Sequence, residues 1–248
     1  MNEQILVRVA TADDQHYAET ITNEMAESAK ARGTGIARRS PEYICEKMME
    51  GKAVIATTAT GAWVGFCYIE SWEHEKFVAN SGLIVAPAFR KSGVATQIKR
   101  KVFELSRKKY PNAKIFGLTT GLAVMKINSE LGYEPVTYSE LTTDEQFWKG
   151  CQSCVNYEIL KSKQRKNCMC TAMLYDPAEA AKKQMEKTRV FVNESGEIEK
   201  HKKRELAGNL KLFERWVRFK QFVLAKGWKK EENAGEKKNS LLSLFFFW

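Results

Sequence analysis

Residues 77–110 read FVANSGLIVAPAFRKSGVATQIKRKVFELSRKKY, and this stretch decides the fold. Leu83 to Val85 is a short apolar run of strand character, followed by a loop through Pro87. From Val94 onward the apolar residues return at helical spacing. Val94, Ile98, Val102 and Leu105 share one stripe, lysines and arginines cover the rest, and Pro111 follows the end. Arg90-Lys91-Ser92-Gly93-Val94-Ala95 sits at the junction. Such a loop aims several backbone N–H groups and the positive end of a helix at one point. That is an anion site, suited to a diphosphate.

Working outward, Ile5 to Val9 alternates as a first strand. Thr11 with Asp14 three residues on is a helix-start signal for a helix over 19–31, broken at Arg32-Gly33-Thr34-Gly35. Ser40-Pro41 suits the N-cap and first turn of a second helix that stops at Gly51. Ala53 to Thr58 and Ala62 to Ser71 form a hairpin across Ala59-Thr60-Gly61. After the long helix come a strand over 114–120, a helix over 122–131 stopped by Gly132, a strand over 133–138 and a strand over 168–175.

The chain of 248 residues has room for one large domain, or a domain with an extension. Its apolar content predicts a real core. A formal charge of +10 predicts an anionic partner without choosing among a nucleotide cofactor, nucleic acid and a merely solvated basic surface. The opening MNEQILVRVATADD carries no signal-peptide pattern, and no apolar run nears the roughly 20 residues of a membrane helix. A cytoplasmic location without membrane attachment is the expectation. The six cysteines are then reduced thiols or metal ligands. Cys151-x-x-Cys154 and Cys168-x-Cys170 have a spacing able to hold a tetrahedral structural Zn²⁺, with four unligated thiols as the alternative. Cys45 and Cys67 read as core residues.

Beyond Asp176-Pro177 the sequence turns helical and charged. A helix over about 202–226 has an apolar arc that must be covered, by the main domain or by a second subunit in a homodimer. The expected division is therefore a domain over 1–176, with a cysteine-bearing insertion over 139–168, and a helical extension over 177–248.

The order β-α-α-β-β-β-α-β-α-β-β, with VRVATADD, LIVAPAFRKSGVA and ELGY in place, resembles the GNAT superfamily of acyl-CoA N-acyltransferases. The resemblance covers roughly 1–176. It implies an α+β fold, a mostly antiparallel sheet of six or seven strands flanked by helices. It also implies acetyl-CoA or another acyl-CoA as co-substrate. By position, Leu83, Ile84 and Val85 would line the pantetheine arm, with the Val85 N–H on the thioester oxygen. Arg90, Lys91, Ser92, Gly93, Val94 and Ala95 would hold the diphosphate, the small residues letting phosphate approach the backbone.

The family's usual base has no counterpart, because Ala79 occupies that position. Glu70 and His74 are the acids or bases nearest in sequence. Where the family often has a tyrosine as thiolate acid, this chain has Asn128, with Ser129 or Tyr133 as substitutes. Arg32, Arg38 and Arg39 lie in the region that borders the family's acceptor pocket, and arginine there suits a carboxylate. ARGTGIARRSPEYI, GLTTGLAVMKINSELGYEPV and CQSCVNYEIL are similar to an arginine-biosynthesis subgroup resembling N-acetylglutamate synthase, which points to L-glutamate as acceptor. Two other readings stay open. One is a zinc-stabilised nucleic-acid binder using the basic run Lys161–Lys166, although aromatic residues do not interleave that run. The other is a protein-lysine acyltransferase.

Overall fold

In the computed structural model, residues 4–33, 38–188, 191–192 and 198–199 are described. All belong to one compact unit spanning 1–203. The expected helix over 202–226, its homodimer contact and the terminal LLSLFFFW lie outside the described residues.

Strand β1 (Ile5–Val9) leads through a short 3-10 turn into helix α1 (Ala18–Arg32). The Thr11 N–H donates to Asp14 Oδ2 at 2.8 Å, and Arg8 grips the same carboxylate with two N–H groups. Helix α2 (Pro41–Met49) begins where Ser40 Oγ accepts the Tyr43 N–H, with Pro41 in the first turn. β2 (Ala53–Thr58), β3 (Trp63–Trp72) and β4 (Phe77–Val85) follow as an antiparallel meander. Then come α3 (Val94–Lys109), β5 (Lys114–Thr119), α4 (Leu122–Glu130) and β6 (Glu134–Val136). Two short helices, α5 (Glu145–Lys149) and α6 (Tyr157–Ser162), precede β7 (Thr171–Tyr175) and α7 (Pro177–Thr188). A two-residue pair, β8 (Phe191–Val192) with β9 (Ile198–Glu199), closes the described chain.

The sheet order is β1-β2-β3-β4-β5-β7-β6, and every pairing is antiparallel except β4 with β5. This is the mixed α+β, mostly antiparallel architecture that the resemblance implied. Three boundaries differ from expectation. β4 starts at Phe77 rather than Leu83, so Ala79 lies inside the strand and not ahead of it. The sixth strand shrinks to three residues at the sheet edge, where no outer strand needs a hydrogen bond from Pro135, and Tyr138 turns into a 3-10 helix. β7 begins at Thr171, leaving Cys168 and Cys170 in the preceding loop.

Alternation along the strands divides the side chains between two faces. Helices α1 and α2 cover one face over Ile55, Phe66, Tyr68 and Ile84. The insertion packs beside them on the same face, with Trp148, Leu141 and Leu160 over Ala79, Phe116 and Leu174. The opposite face carries α3, whose buried Val94, Ile98 and Val102 form the stripe read from sequence. Each such burial contributes roughly 1.5–3 kcal/mol.

Candidate active site

β4 and β5 pair in parallel only at Phe77–Ala79 with Lys114–Phe116, and then part. The cause is in β4 itself. The β3–β4 register shifts between Phe66 and Tyr68, and Gly82 takes φ +66° in the extra length of β4. A Cβ at Gly82 would stand 2.3 Å from Tyr68 Cε1 and 2.9 Å from the Met25 methyl, so only glycine fits this bulge. Gly82 was not singled out from sequence, although an isolated glycine in a strand pattern is a bulge signal.

The bulge leaves the outer edge of β4 facing a gap. The Ala86 N–H donates to Val64 O in β3 at 2.8 Å. By alternation, the Val85 N–H points the other way, into the gap. The neighbouring Val85 carbonyl is taken by Arg90 Nε at 3.1 Å. Leu83 and Ile84 complete this edge, Ile84 turning its side chain into the α1–α2 core.

At the end of β4 the chain makes a tight loop. Lys91 (φ +67°) and Gly93 (φ +85°) are left-handed, and Gly93 is the N-cap of α3. The Thr96 and Gln97 N–H groups both turn back to Gly93 O. Among the described residues, the N–H groups of Lys91, Ser92, Gly93, Val94 and Ala95 have no acceptor. A Cβ at Gly93 would meet nothing within 4 Å, so the space above the loop is open. Arg90 does not reach into that space. Its Nη2 donates to Glu24 Oε1 and Ser28 Oγ, each at 2.7 Å, tying the loop to α1.

On the α1–α2 face, Glu70 of β3 is 7% exposed and surrounded by donors. Tyr43 OH reaches Oε1 at 2.6 Å, Arg39 Nη2 reaches the same oxygen at 3.0 Å, and Ser81 Oγ donates to Oε2 at 2.6 Å. Arg39 Nε also donates to Tyr68 OH. The buried carboxylate and phenols keep the Arg39 pKa above its ordinary value, against the opposing cost of burial. Burial and Glu70 together push the Tyr43 hydroxyl up. Arg39 is thus a wall of this face with its guanidinium in use. Arg38 is exposed, its N–H donating to Ser153 Oγ in the insertion at 3.1 Å. Arg32 ends α1, and its side chain lies outside the described set.

On the α3 face, Asn128 of α4 is 1% exposed and stands at the mouth of the gap. A Cβ on Gly117 would lie 3.7 Å from Asn80 O and 3.9 Å from Asn128 Nδ2. Asn128 Oδ1 has no partner, and Nδ2 has only Met173 Sδ at 3.8 Å. Tyr133 is buried with its hydroxyl on Asn80 Oδ1 at 2.9 Å, and Asn80 Nδ2 donates to Ser106. Burial drives the Tyr133 hydroxyl far above its ordinary range, which suits a core residue. Lys99 lies beneath this group at 2% exposure, its Nζ 5.3 Å from the centre of the Tyr133 ring. Burial lowers its pKa. No sequence pattern distinguished Lys99 from the exposed lysines around it.

His74 is not part of the arrangement. It sits exposed in the β3–β4 turn at φ +53°, at the end of β4 where the strands are still paired. Val85 is a strand's length away, roughly 25 Å. The four cysteines Cys151, Cys154, Cys168 and Cys170 line one small cavity of their own. Among the described residues, no helix is long and apolar enough to cross a membrane.

No family model matches the chain, and neither does any curated protein. Solved structures similar to it include N-acetylglutamate synthase from Neisseria gonorrhoeae complexed with coenzyme A and N-acetyl-glutamate. That likeness has 14% identity and a TM-score of 0.49, over 71% of this chain and 36% of that one. This chain therefore spans about a third of the Neisseria protein. A Mycobacterium tuberculosis protein in complex with CoA is 17% identical, with a TM-score of 0.49, over 69% of this chain and 98% of that one. A phosphinothricin acetyltransferase from Sinorhizobium meliloti in complex with AcCoA is 14% identical, with a TM-score of 0.47, over 69% and 88%.

Proposed function

We propose that this chain is an acyl-CoA-dependent N-acyltransferase of the GNAT type, moving an acetyl or succinyl group to a small amine that bears a carboxylate. The observation that carries the reading is the open edge of β4 leading into five unpartnered N–H groups at the start of α3. An unpaired strand edge suits an extended amide-bearing arm, and converging N–H groups at a helix start suit a diphosphate. Acyl-CoA has both parts in that order.

In this reading the amine attacks the thioester carbon, the C–N bond forms, and the C–S bond breaks. The Val85 N–H faces the developing oxyanion. Ser81 Oγ accepts the proton from the amine while passing its own to Glu70 Oε2, since that hydrogen bond is already in place. Asn128 Nδ2 donates a hydrogen bond to the departing thiolate, which is protonated from water. Holding amine and thioester together supplies most of the acceleration. Arg38, exposed beside the insertion, takes the acceptor carboxylate. L-Glutamate is the first acceptor to try, which would place the reaction at the entry to arginine biosynthesis, in the cytoplasm.

The test is a matrix of acetyl-CoA and succinyl-CoA against amino acids, polyamines and a lysine peptide, read as free thiol. Turnover with a carboxylate-bearing amine is expected, and Arg38→Ala should raise its KM roughly tenfold with kcat little changed. Turnover only with the peptide would replace the small-molecule acceptor by protein lysine. No turnover with any pair, together with no acetyl-CoA binding by calorimetry, would remove the reading.

A further inference from the structure

Four cysteines come from two separate segments of the chain. Cys151 and Cys154 bracket a short 3-10 turn, and Cys168 and Cys170 stand in the loop before β7. All four line one cavity of about 20 Å³, roofed by Leu118 and Tyr138. A space of that size admits a single water-sized guest, which needs roughly 10–15 Å³. Thiols are poor hydrogen-bond partners for a water but strong ligands for a borderline-soft cation.

The Asn156 N–H, two residues beyond Cys154, donates to Cys154 Sγ at 3.4 Å. No disulfide joins the cysteines. The thiols interact with each other instead, Cys168 and Cys170 through a hydrogen bond. Among the described residues no group of three or more His, Cys, Asp or Glu stands at metal-coordinating geometry. The four cysteines line the cavity and would have to draw inward to reach the Zn–S distance of about 2.3 Å.

We propose that Cys151, Cys154, Cys168 and Cys170 hold one divalent cation of the zinc class, bound as four thiolates in a closed structural site. On binding, the four thiols release their protons to solvent and the ion takes four S–M bonds, with no change in oxidation state. The site joins the insertion to the start of β7. It also fixes Ser153, which lies inside the Cys151–Cys154 turn and holds the Arg38 N–H. Metal loading would therefore order the Arg38 segment, an effect that does not depend on what reaction the chain performs.

The experiment uses the full chain, reduced and stripped of metal, and asks whether one equivalent of Zn²⁺ protects thiols from Ellman's reagent under native conditions. Protection of four thiols, with Co²⁺ in place of zinc producing a thiolate-to-metal charge-transfer band that saturates at one equivalent, is the expected result. Cys154→Ser and Cys168→Ser should each weaken the ion by roughly tenfold or more. Cys45→Ser, on a thiol directed to the Gln15 carbonyl, should leave it unchanged. Equal thiol reactivity with and without zinc in the folded wild-type chain would overturn the proposal. So would a disulfide between any two of the four cysteines in protein isolated under native conditions.

Discussion

Two buried polar groups, Glu70 and Asn128, lie on opposite faces of β4 and are treated in opposite ways. On the α1–α2 face, both Glu70 oxygens are engaged and every neighbour has a use: Tyr43, Ser81, Arg39 and, beyond it, Tyr68. On the α3 face, Asn128 Oδ1 is buried without a partner among the described residues, and the buried Lys99 ammonium lies against the Tyr133 ring near the Cys67 thiol, with no acid paired to it among the described residues. A satisfied network holds a wall in one arrangement, whereas an unsatisfied group is a standing cost that a ligand or a substitution can relieve. The gap between β4 and β5 opens between these two environments.

The comparison can be broken hardest at the bulge. Gly82→Ala puts a methyl into the Tyr68 ring on the satisfied face and asks alanine to hold φ +66°. Urea unfolding should show a loss of about 4 kcal/mol. A loss under about 1 kcal/mol would mean that the bulge can relax and does not set the gap. Next in size is Glu70→Ala, which leaves the Arg39 guanidinium half-buried with no counter-charge. A loss of about 3 kcal/mol is expected. An unchanged urea midpoint would show that water replaces the carboxylate readily.

On the other face the sign reverses. Lys99→Met keeps the length of the side chain and removes the buried ammonium, so stability at neutral pH should rise by about 1 kcal/mol. The pH dependence gives an independent check. Burial holds the folded-state pKa of Lys99 below its unfolded value of about 10.4. The destabilisation is complete below the folded pKa. It fades as pH climbs from there toward the unfolded value, because the unfolded chain then binds more protons. Wild-type stability should gain in that alkaline window, and Lys99→Met should lack the gain. Parallel pH curves for the two proteins would mean that the ammonium is not paying a burial cost. The smallest effect is expected at His74→Asn, which keeps a residue tolerant of the left-handed backbone and removes only the imidazole. Stability should change by less than about 0.5 kcal/mol and acyl transfer by less than about twofold. A tenfold loss of acyl transfer would bring the turn into the site.

Much of this architecture was legible in the residues, and the exceptions have physical causes. The α3 stripe, the Ser40-Pro41 start and the Gly93 loop depend on near neighbours in the chain, so local spacing reported them. Glu70 was a candidate because it is an acid in the strand next to β4. Its partners Tyr43 and Ser81 gave no signal, since an isolated tyrosine on a helix and a serine in a strand occur everywhere. His74 is close to Glu70 in number, but the β3–β4 turn carries it away from the gap. Arg39 read as an arginine bordering the acceptor pocket, and the fold places its guanidinium on Glu70 and Tyr68.

Sequence alone determined the order of the strands and helices, that a glycine loop opens α3, and that one cysteine pair lies within the insertion with another at its end. These follow from side-chain periodicity and backbone preference within a few residues. Only the tertiary structure decided that β4 parts from β5 at Ala79, that Arg90 turns to α1, that the cysteine pairs share one cavity, and that Lys99 is buried without an acid. Those outcomes depend on which distant surfaces meet, and packing between elements sets that.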